Sequence, residues 1–107
     1  MDGEQHPVSQ LHDVVHQRHR LGILAVLTEA RRADFAYLKK TLSLTDGNLG
    51  RHLQVLEDAE LVTSKRVLEG RRPRTWLRIT AKGRRALDSE LKIMNDLIRR
   101  VSHPKQD

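Results

Sequence analysis

The sequence predicts a single, mainly helical domain that contains one two-stranded β-hairpin. Apolar residues recur at helical spacing up to about residue 60 and again after residue 80, whereas the segment between them alternates apolar and polar side chains. The 107 residues are enough for one hydrophobic core. Because Phe, Tyr and Trp occur once each, that core must consist mainly of Leu, Val, Ile and Ala, which favours helices.

The composition excludes several classes of protein. There is no cysteine, which excludes disulfides, thiolate catalysis and cysteine-ligated zinc. No apolar run reaches the roughly 18 residues of a membrane span, and the polar residues 1–5 do not resemble a signal peptide. We therefore expect a cytoplasmic protein that does not contact a membrane.

Positive charge is concentrated in residues 61–85. Nine basic side chains, seven of them arginine, lie there with the single acid Glu69, whereas the rest of the chain has eleven basic and thirteen acidic residues. Such a block is typical of a polyanion partner, because neutralised phosphates release condensed counterions. The alternative is a solvated face that only aids solubility. The preference for arginine, whose guanidinium suits phosphates and base edges, favours the polyanion.

Two helices are predicted before residue 45. Residues 1–10 are polar and are predicted to form a flexible tail, so that the domain begins at residue 11. The first helix spans residues 11–30 or is broken near Gln17, and Gly22 suits a close helix contact. Asp34 then caps a short second helix, whose apolar side carries Phe35, Leu38 and Leu42.

A third helix is predicted to begin after Thr45, which is a good N-cap residue. One face carries the apolar residues Leu49, Leu53 and Leu56. The rest of its surface carries hydrogen-bonding side chains, namely Asn48, Arg51, His52 and Gln54. Two helices joined by so short a turn, at about residues 34–60, match a helix-turn-helix.

A hairpin and a last helix complete the domain. Residues 61–68 and 75–80 predict two strands joined by a basic turn, so that the hairpin occupies about residues 61–80. Thr80 caps a helix predicted at about 81–102, and residues 103–107 are predicted to form a tail. An apolar stripe on this helix has the spacing of a coiled-coil seam and consists of Leu87, Leu91, Met94, Ile98 and Val101. The spacing favours a dimer interface, and the alternative is packing of the stripe onto the first helix.

Five short motifs follow one another along the chain: RLGIL at 20–24, DFAYL at 34–38, LTDGNLGRHL at 44–53, EGRRPRT at 69–75 and ITAKGR at 79–84. In this order they resemble the bacterial and archaeal single-domain winged-helix transcription regulators related to the MarR and ArsR families, over about residues 11–100. The resemblance implies a winged helix-turn-helix whose terminal helices form a homodimer. The third helix of each subunit would enter the major groove of double-stranded DNA, and the hairpin, or wing, would reach the backbone or minor groove, with half-sites roughly 34 Å apart.

The chain departs from these families in the parts that sense effectors. It lacks the Cys- or His-rich metal-sensing strings of many ArsR proteins and the extra helices that frame the ligand pocket of MarR proteins. No cofactor or metal is therefore predicted, and a small-molecule effector is left open. His12, His16 and His19 fall at helical spacing, so an unbroken first helix offers a zinc or nickel site, or a pH-responsive interface, as an alternative.

The predicted DNA contacts lie on the third helix and on the wing. Asn can pair with adenine and Arg with guanine, and Thr45 and Gln54 are weaker candidates for phosphate contact. The contacts on the helix are Thr45, Asn48, Arg51, His52 and Gln54. Those on the wing are Arg71, Arg72 and Arg74. The alternative for Arg74 is an ion pair with Glu69 or with an acid on a helix.

Three further residues are predicted to be structural. Trp76 and Phe35 are placed in the core, because a lone aromatic residue is more often buried than used for base stacking. Gly83 lets the last helix begin close against the wing.

Together these observations predict a sequence-specific regulator of transcription that binds double-stranded DNA as a homodimer. The alternative is a winged-helix module that binds RNA or a protein partner, with the charge of the wing used for shape or phosphate recognition. An enzyme is not predicted, because the chain has neither a Gly-flanked serine elbow nor a phosphate-cradling glycine loop.

Overall fold

The computed structural model describes residues 6–104. The four helices and the two wing strands follow the predicted order, and a 3-10 helix and one short strand are added to them. They are a 3-10 helix at Pro7–Gln10, α1 at Arg18–Ala30, β1 at Arg32–Asp34, α2 at Phe35–Thr41, α3 at Asp46–Asp58, β2 at Val62–Glu69, β3 at Arg72–Ile79 and α4 at Ala81–Ser102. Helices α2 and α3 form the helix-turn-helix, and strands β2 and β3 form the wing. The predicted winged helix-turn-helix is therefore confirmed.

The beginning of the described chain differs from the flexible tail predicted for residues 1–10. Pro7 is buried, and the 3-10 helix that it begins packs against α4. The structure thus has a 3-10 helix at residues 7–10, where the sequence predicted a flexible tail, and this helix contacts the distant α4. Residues 1–5, and residues 105–107 of the predicted C-terminal tail, lie outside the described residues.

Helix α1 begins at Arg18 because Gln17 caps it. The Gln17 side-chain oxygen accepts the backbone N–H groups of His19 and Arg20, each at 2.9 Å. The prediction of a helix from residue 11 is wrong, and the predicted break near Gln17 marks the true start. Val15 is fully buried in the turns that precede the helix.

Both helices of the helix-turn-helix begin at their predicted caps. The Asp34 carboxylate accepts the Tyr37 N–H at 2.7 Å, and the Thr45 hydroxyl accepts the Asn48 N–H at 3.1 Å. Between the helices, Ser43 has a φ of 55°, a left-handed conformation that reverses the chain within the short turn. The turn thereby fixes the start of α3 relative to α2.

The wing belongs to a three-stranded sheet, because a strand that the sequence did not predict pairs with it. Strand β1 is antiparallel to β3, and the strand order is β1-β3-β2. Ala33 lies opposite Leu77 and both are buried, so these two residues mark the inner face of the sheet. With only three residues, β1 is too short to carry an alternating pattern that sequence alone could reveal.

The core lies between this inner face and the helices, and it consists of Leu, Val, Ile and Ala side chains, as predicted. Gly83 brings α4 close to the wing, since a Cβ there would collide with the carbonyl oxygen of Leu61 and lie 2.8 Å from Ile79 Cγ1. The predicted role of Gly83 is confirmed. A Cβ on Gly22 would lie 3.0 Å from Leu42 Cδ2, which confirms the close contact predicted for that position.

Helix α4 continues well beyond the core. Leu87 is buried, but Leu91, Ile98 and Val101 are 48%, 61% and 79% exposed. Packing of the whole stripe onto the first helix, the alternative to a dimer interface, is therefore wrong for these three residues. The 22-residue helix gives the molecule dimensions of 67 × 23 × 22 Å. Within residues 6–104, no helix has the length and apolar character needed to cross a membrane.

Candidate nucleic-acid interface

The exposed surface of α3 carries Asn48 and Arg51, one turn apart. Both side chains are exposed, and neither has a hydrogen-bonding or charged side-chain partner among the described residues. Gly47 and Gly50 flank them, and a Cβ at either glycine would have no neighbour within 4 Å. Because Gly47 and Gly50 carry no side chains, the Asn48 and Arg51 side chains project from the surface of the first half of α3.

Thr45 and Gln54 are exposed but already make local hydrogen bonds. The Thr45 hydroxyl caps α3, as described above, and the Gln54 amide donates to the Asp58 carboxylate at 2.8 Å. Asp46, at the start of α3, lies 2.9 Å from the Lys39 ammonium. A phosphate contact by Thr45 or Gln54 stays a prediction.

His52 lies on the side of α3 that faces α1. Its Nδ1 is 3.2 Å from Arg20 Nη1, and the His52 and His19 ring centroids are 5.3 Å apart. Burial, and then the neighbouring Arg20, His19 and Arg51, lower the pKa of His52 from 6.5. The neutral ring can accept a hydrogen bond from Arg20, so His52 helps to hold α3 against α1. A DNA contact by His52 stays a prediction.

The tip of the wing carries Arg71 and Arg72. Both are exposed, and none of the described carboxylates lies within 4 Å of either guanidinium. Gly70, with a φ of 66°, supplies the left-handed conformation of the turn. The two arginines are therefore open to a partner.

Arg74 is engaged within the protein. Its Nε lies 3.3 Å from the Asp34 carboxylate, and its Nη1 lies 3.0 Å from the Glu69 carboxylate. The alternative considered for Arg74, an ion pair with Glu69, is thus present. The ion pair between Arg74 and Asp34 also links the wing to the start of α2, because Asp34 caps that helix.

The prediction that Trp76 lies in the core is wrong. It is half-buried, with the Arg32 guanidinium 4.1 Å from the ring centroid and the Arg74 guanidinium at 5.3 Å. Trp76 alternates with the buried Leu77 along β3, so it lies on the outer face of the sheet. Phe35 is partly buried and packs against the core.

The three histidines of the alternative metal site do not share a helix, because α1 begins only at Arg18. His12 and His16 lie near Glu90 of α4, whereas His19 packs against His52. Within residues 6–104 no cluster of three His, Asp or Glu side chains could hold a metal ion.

Sequence reasoning missed Glu90, which is buried to 1% exposure. Its carboxylate accepts the His12 backbone N–H at 3.1 Å, and the other oxygen lies 2.9 Å from His16 Nδ1. Glu90 follows Leu87 by three positions, so its place on the apolar face of α4 was visible in the sequence. Its partners, more than 70 positions earlier in the chain, were not.

Comparisons with known proteins agree with this architecture. Residues 19–98 match the family described as winged helix DNA-binding domain. An uncharacterised protein from Methanocaldococcus jannaschii is 48% identical over 66 residues, which are 61% of this chain and 71% of that protein. A solved transcriptional regulator homologue from Pyrococcus horikoshii has a TM-score of 0.85 at 31% identity, over 92% of this chain and 100% of that one.

A more distant structure, ZitR of Lactococcus lactis in complex with DNA, has a TM-score of 0.62 at 20% identity. The match covers 84% of this chain and 60% of that one, and at this identity it shows the fold alone. The family match, in contrast, spans most of the chain and includes both α3 and the wing. The chain therefore belongs to the winged helix DNA-binding domain family.

Proposed function

We propose that this protein regulates transcription by binding a specific sequence of double-stranded DNA as a homodimer. The observation that carries the proposal is the open surface of α3, where Asn48 and Arg51 project beside two glycines that have no neighbour within 4 Å. The amide of Asn48 suits an adenine edge and the guanidinium of Arg51 suits a guanine edge in the major groove. Arg71 and Arg72 on the wing would contact the backbone or minor groove.

The homodimer is inferred from α4. Leu91, Ile98 and Val101 are exposed members of the heptad-spaced stripe on α4, which a second copy of the same helix would cover. In a two-fold dimer each α3 would meet its own half-site, with the two half-sites roughly 34 Å apart.

The proposal is tested by selecting binding sites from random duplex DNA with the purified protein. We expect enrichment of two inverted half-sites separated by about one helical turn. If folded RNA competes better than any selected duplex, the RNA-binding alternative is favoured and the proposal fails.

Arg51→Ala is expected to relax discrimination at particular positions of the selected operator. Loss of a bidentate guanine contact should reduce the preference for the correct base by roughly 1 to 3 kcal/mol. The measurement is the Kd for a set of single-base operator variants, with Arg100→Ala, the same charge change at the exposed end of α4, as the control. An equal loss for every sequence would make Arg51 a phosphate contact instead.

Replacing both Arg71 and Arg72 with alanine is expected to weaken binding to all sequences. The slope of log affinity against log salt should become shallower by about 0.9 for each phosphate contact that is lost. Arg99→Ala with Arg100→Ala removes the same charge from exposed positions on α4 and is the matched control. A slope that changes equally in both double variants would show that only net charge matters at the wing.

A further inference from the structure

The outer face of the three-stranded sheet is a basic surface around Trp76. We define the outer sheet face by Arg32 and Asp34 of β1, Thr63, Lys65 and Glu69 of β2, and Arg72, Arg74, Trp76 and Arg78 of β3, which are five basic and two acidic residues with one tryptophan and one threonine. Directly opposed residues share a face, and the register places Arg32 opposite Arg78 and Lys65 opposite Trp76. Arg72, Arg74 and Arg78 are then on this face because they alternate with the residues that point inward.

At the β1 side of this face the arrangement of charge opposes formation of the sheet. Like charges directly opposite each other on neighbouring strands are destabilising, and Arg32 faces Arg78 in this way. Arg74 has carboxylate partners, but no carboxylate of residues 6–104 lies within 4 Å of Arg32, Lys65, Arg72 or Arg78. Arg32, Lys65 and Arg78 also have no acid opposite them in the sheet, whereas Arg72 lies opposite Glu69. Three cations on one small face therefore remain without an opposed carboxylate among residues 6–104.

The Trp76 ring positions the guanidinium of Arg32. The Arg32 guanidinium lies 4.1 Å from the ring centroid, so its plane is supported by a cation–π contact. No hydrogen bond to a described group engages its N–H donors. Stacking reduces the side-chain freedom that an arginine loses on binding, while leaving the donors open to an anion.

The same face contains a groove of about 440 Å³. Its lining includes Arg32, Lys65, Trp76, Arg78 and Thr63, whose hydroxyl can donate to a phosphate oxygen, and Glu69 lines it at the end nearest the wing tip. Along β3 the basic positions run from Arg72 to Arg78, a distance of about 20 Å at the rise of a strand. The basic positions of β3 therefore connect the groove to the tip of the wing.

We propose that the outer sheet face binds the phosphate backbone of DNA that flanks the segment contacted by α3 and the wing tip. The proposal rests on the proposed function, because it needs the wing tip to be at the DNA. Continuity with the tip, and arginines whose forked donors match phosphate oxygens, favour a nucleic-acid backbone over an acidic protein segment. The protein would then protect a longer stretch of duplex than α3 and the wing tips alone require.

The test is the dependence of affinity on duplex length. A selected operator is prepared at its minimal length and with flanks of increasing length and random sequence. For the unaltered protein we expect affinity to rise as flanks are added and then to level off. Arg32→Gln with Arg78→Gln should bind the minimal operator within about threefold of the unaltered protein and lose most of the gain from the flanks. Arg99→Gln with Arg100→Gln is the control of equal charge and should keep that gain.

A second variant separates position from charge. Trp76→Leu leaves every cation in place but removes the ring that supports Arg32, so it should also reduce the gain from the flanks, and Trp76→Phe should restore part of it. Thermal denaturation of each variant checks that the fold is intact.

Three results would overturn the inference: no gain from flanks with the unaltered protein, an undiminished gain in the Arg32 and Arg78 double variant, or an equal loss on minimal and long duplexes. Binding of poly-glutamate by the outer sheet face in preference to flanked DNA would also overturn it, in favour of an acidic protein partner. Failure of the proposed function differs from all of these, since no duplex operator would then be selected.

Discussion

Gly83→Ala is expected to destabilise the protein by about 3 kcal/mol, because the added methyl group has no space. It would collide with the Leu61 carbonyl oxygen and approach Ile79 Cγ1, so the first turn of α4 would have to move away from the wing. The same Leu61 oxygen accepts the Thr80 N–H at 3.0 Å, and Thr80 caps α4. One displacement therefore disturbs the hydrogen bond, the cap and the packing together.

The measurement is the free energy of unfolding, obtained from urea denaturation of the unaltered protein and of Gly83→Ala. Gly50→Ala is the matched control, since it adds the same methyl group to a helix at a position where nothing lies within 4 Å. It should raise the free energy of unfolding by up to about 1 kcal/mol, because alanine favours the helix more than glycine does. Similar changes of the same sign in both variants would contradict the close approach at Gly83.

Ile98→Glu is expected to convert the proposed dimer into a monomer and to reduce operator affinity. Ile98 is 61% exposed in the single chain, so the substitution should leave the fold of the monomer intact. In a dimer it would bury two carboxylates without partners, and a cost of about 3 kcal/mol corresponds to a loss of about 100-fold in dimer affinity. Operator binding should fall with it, because two half-sites are then no longer held by one molecule.

Analytical ultracentrifugation over a range of concentrations measures the dimer dissociation constant, and a titration with the two-half-site operator measures binding. Ser89→Glu places the same charge on an exposed position of α4 away from the stripe and should change neither quantity by more than about twofold. A mass and an affinity that are unchanged in Ile98→Glu would show that the dimer, if it forms, uses another surface.

The parts of the fold that the sequence predicted correctly are those specified by neighbouring residues. Asp34, Thr45 and Thr80 each cap a helix through an N–H only three positions later. The buried stripe of α3 likewise follows from Leu49, Leu53 and Leu56 on one helix. Such local patterns do not depend on the rest of the chain, so they can be recognised before the fold is known.

The features that the sequence did not reveal depend on contacts between distant segments. Strand β1 is defined by its pairing with the distant β3, in which Ala33 lies opposite Leu77, and Arg32 of β1 stacks on the Trp76 ring at the outer face. His52 was grouped with Asn48 and Arg51 by sequence position, but Arg20, 32 positions earlier, holds it on the flank of α3. For the candidate site, residue types suggested which side chains could contact DNA, whereas only the fold separates those that are open from those already engaged.

In the proposed dimer, Glu90 would influence the direction in which each α4 leaves its own core. It is buried where α4 leaves the core, and there it binds the segment that contains His12 and His16. From Glu90 to the end of α4 is about 18 Å, so a tilt of about 10° at this base would displace the far end by about 3 Å. In a two-fold dimer both α4 helices would tilt together, and the distance between the two α3 helices would change as a result. The segment that contains His12 and His16 precedes α3 and the wing in the chain and carries none of the proposed DNA contacts. It would nevertheless influence which spacing of the two half-sites the protein can bind.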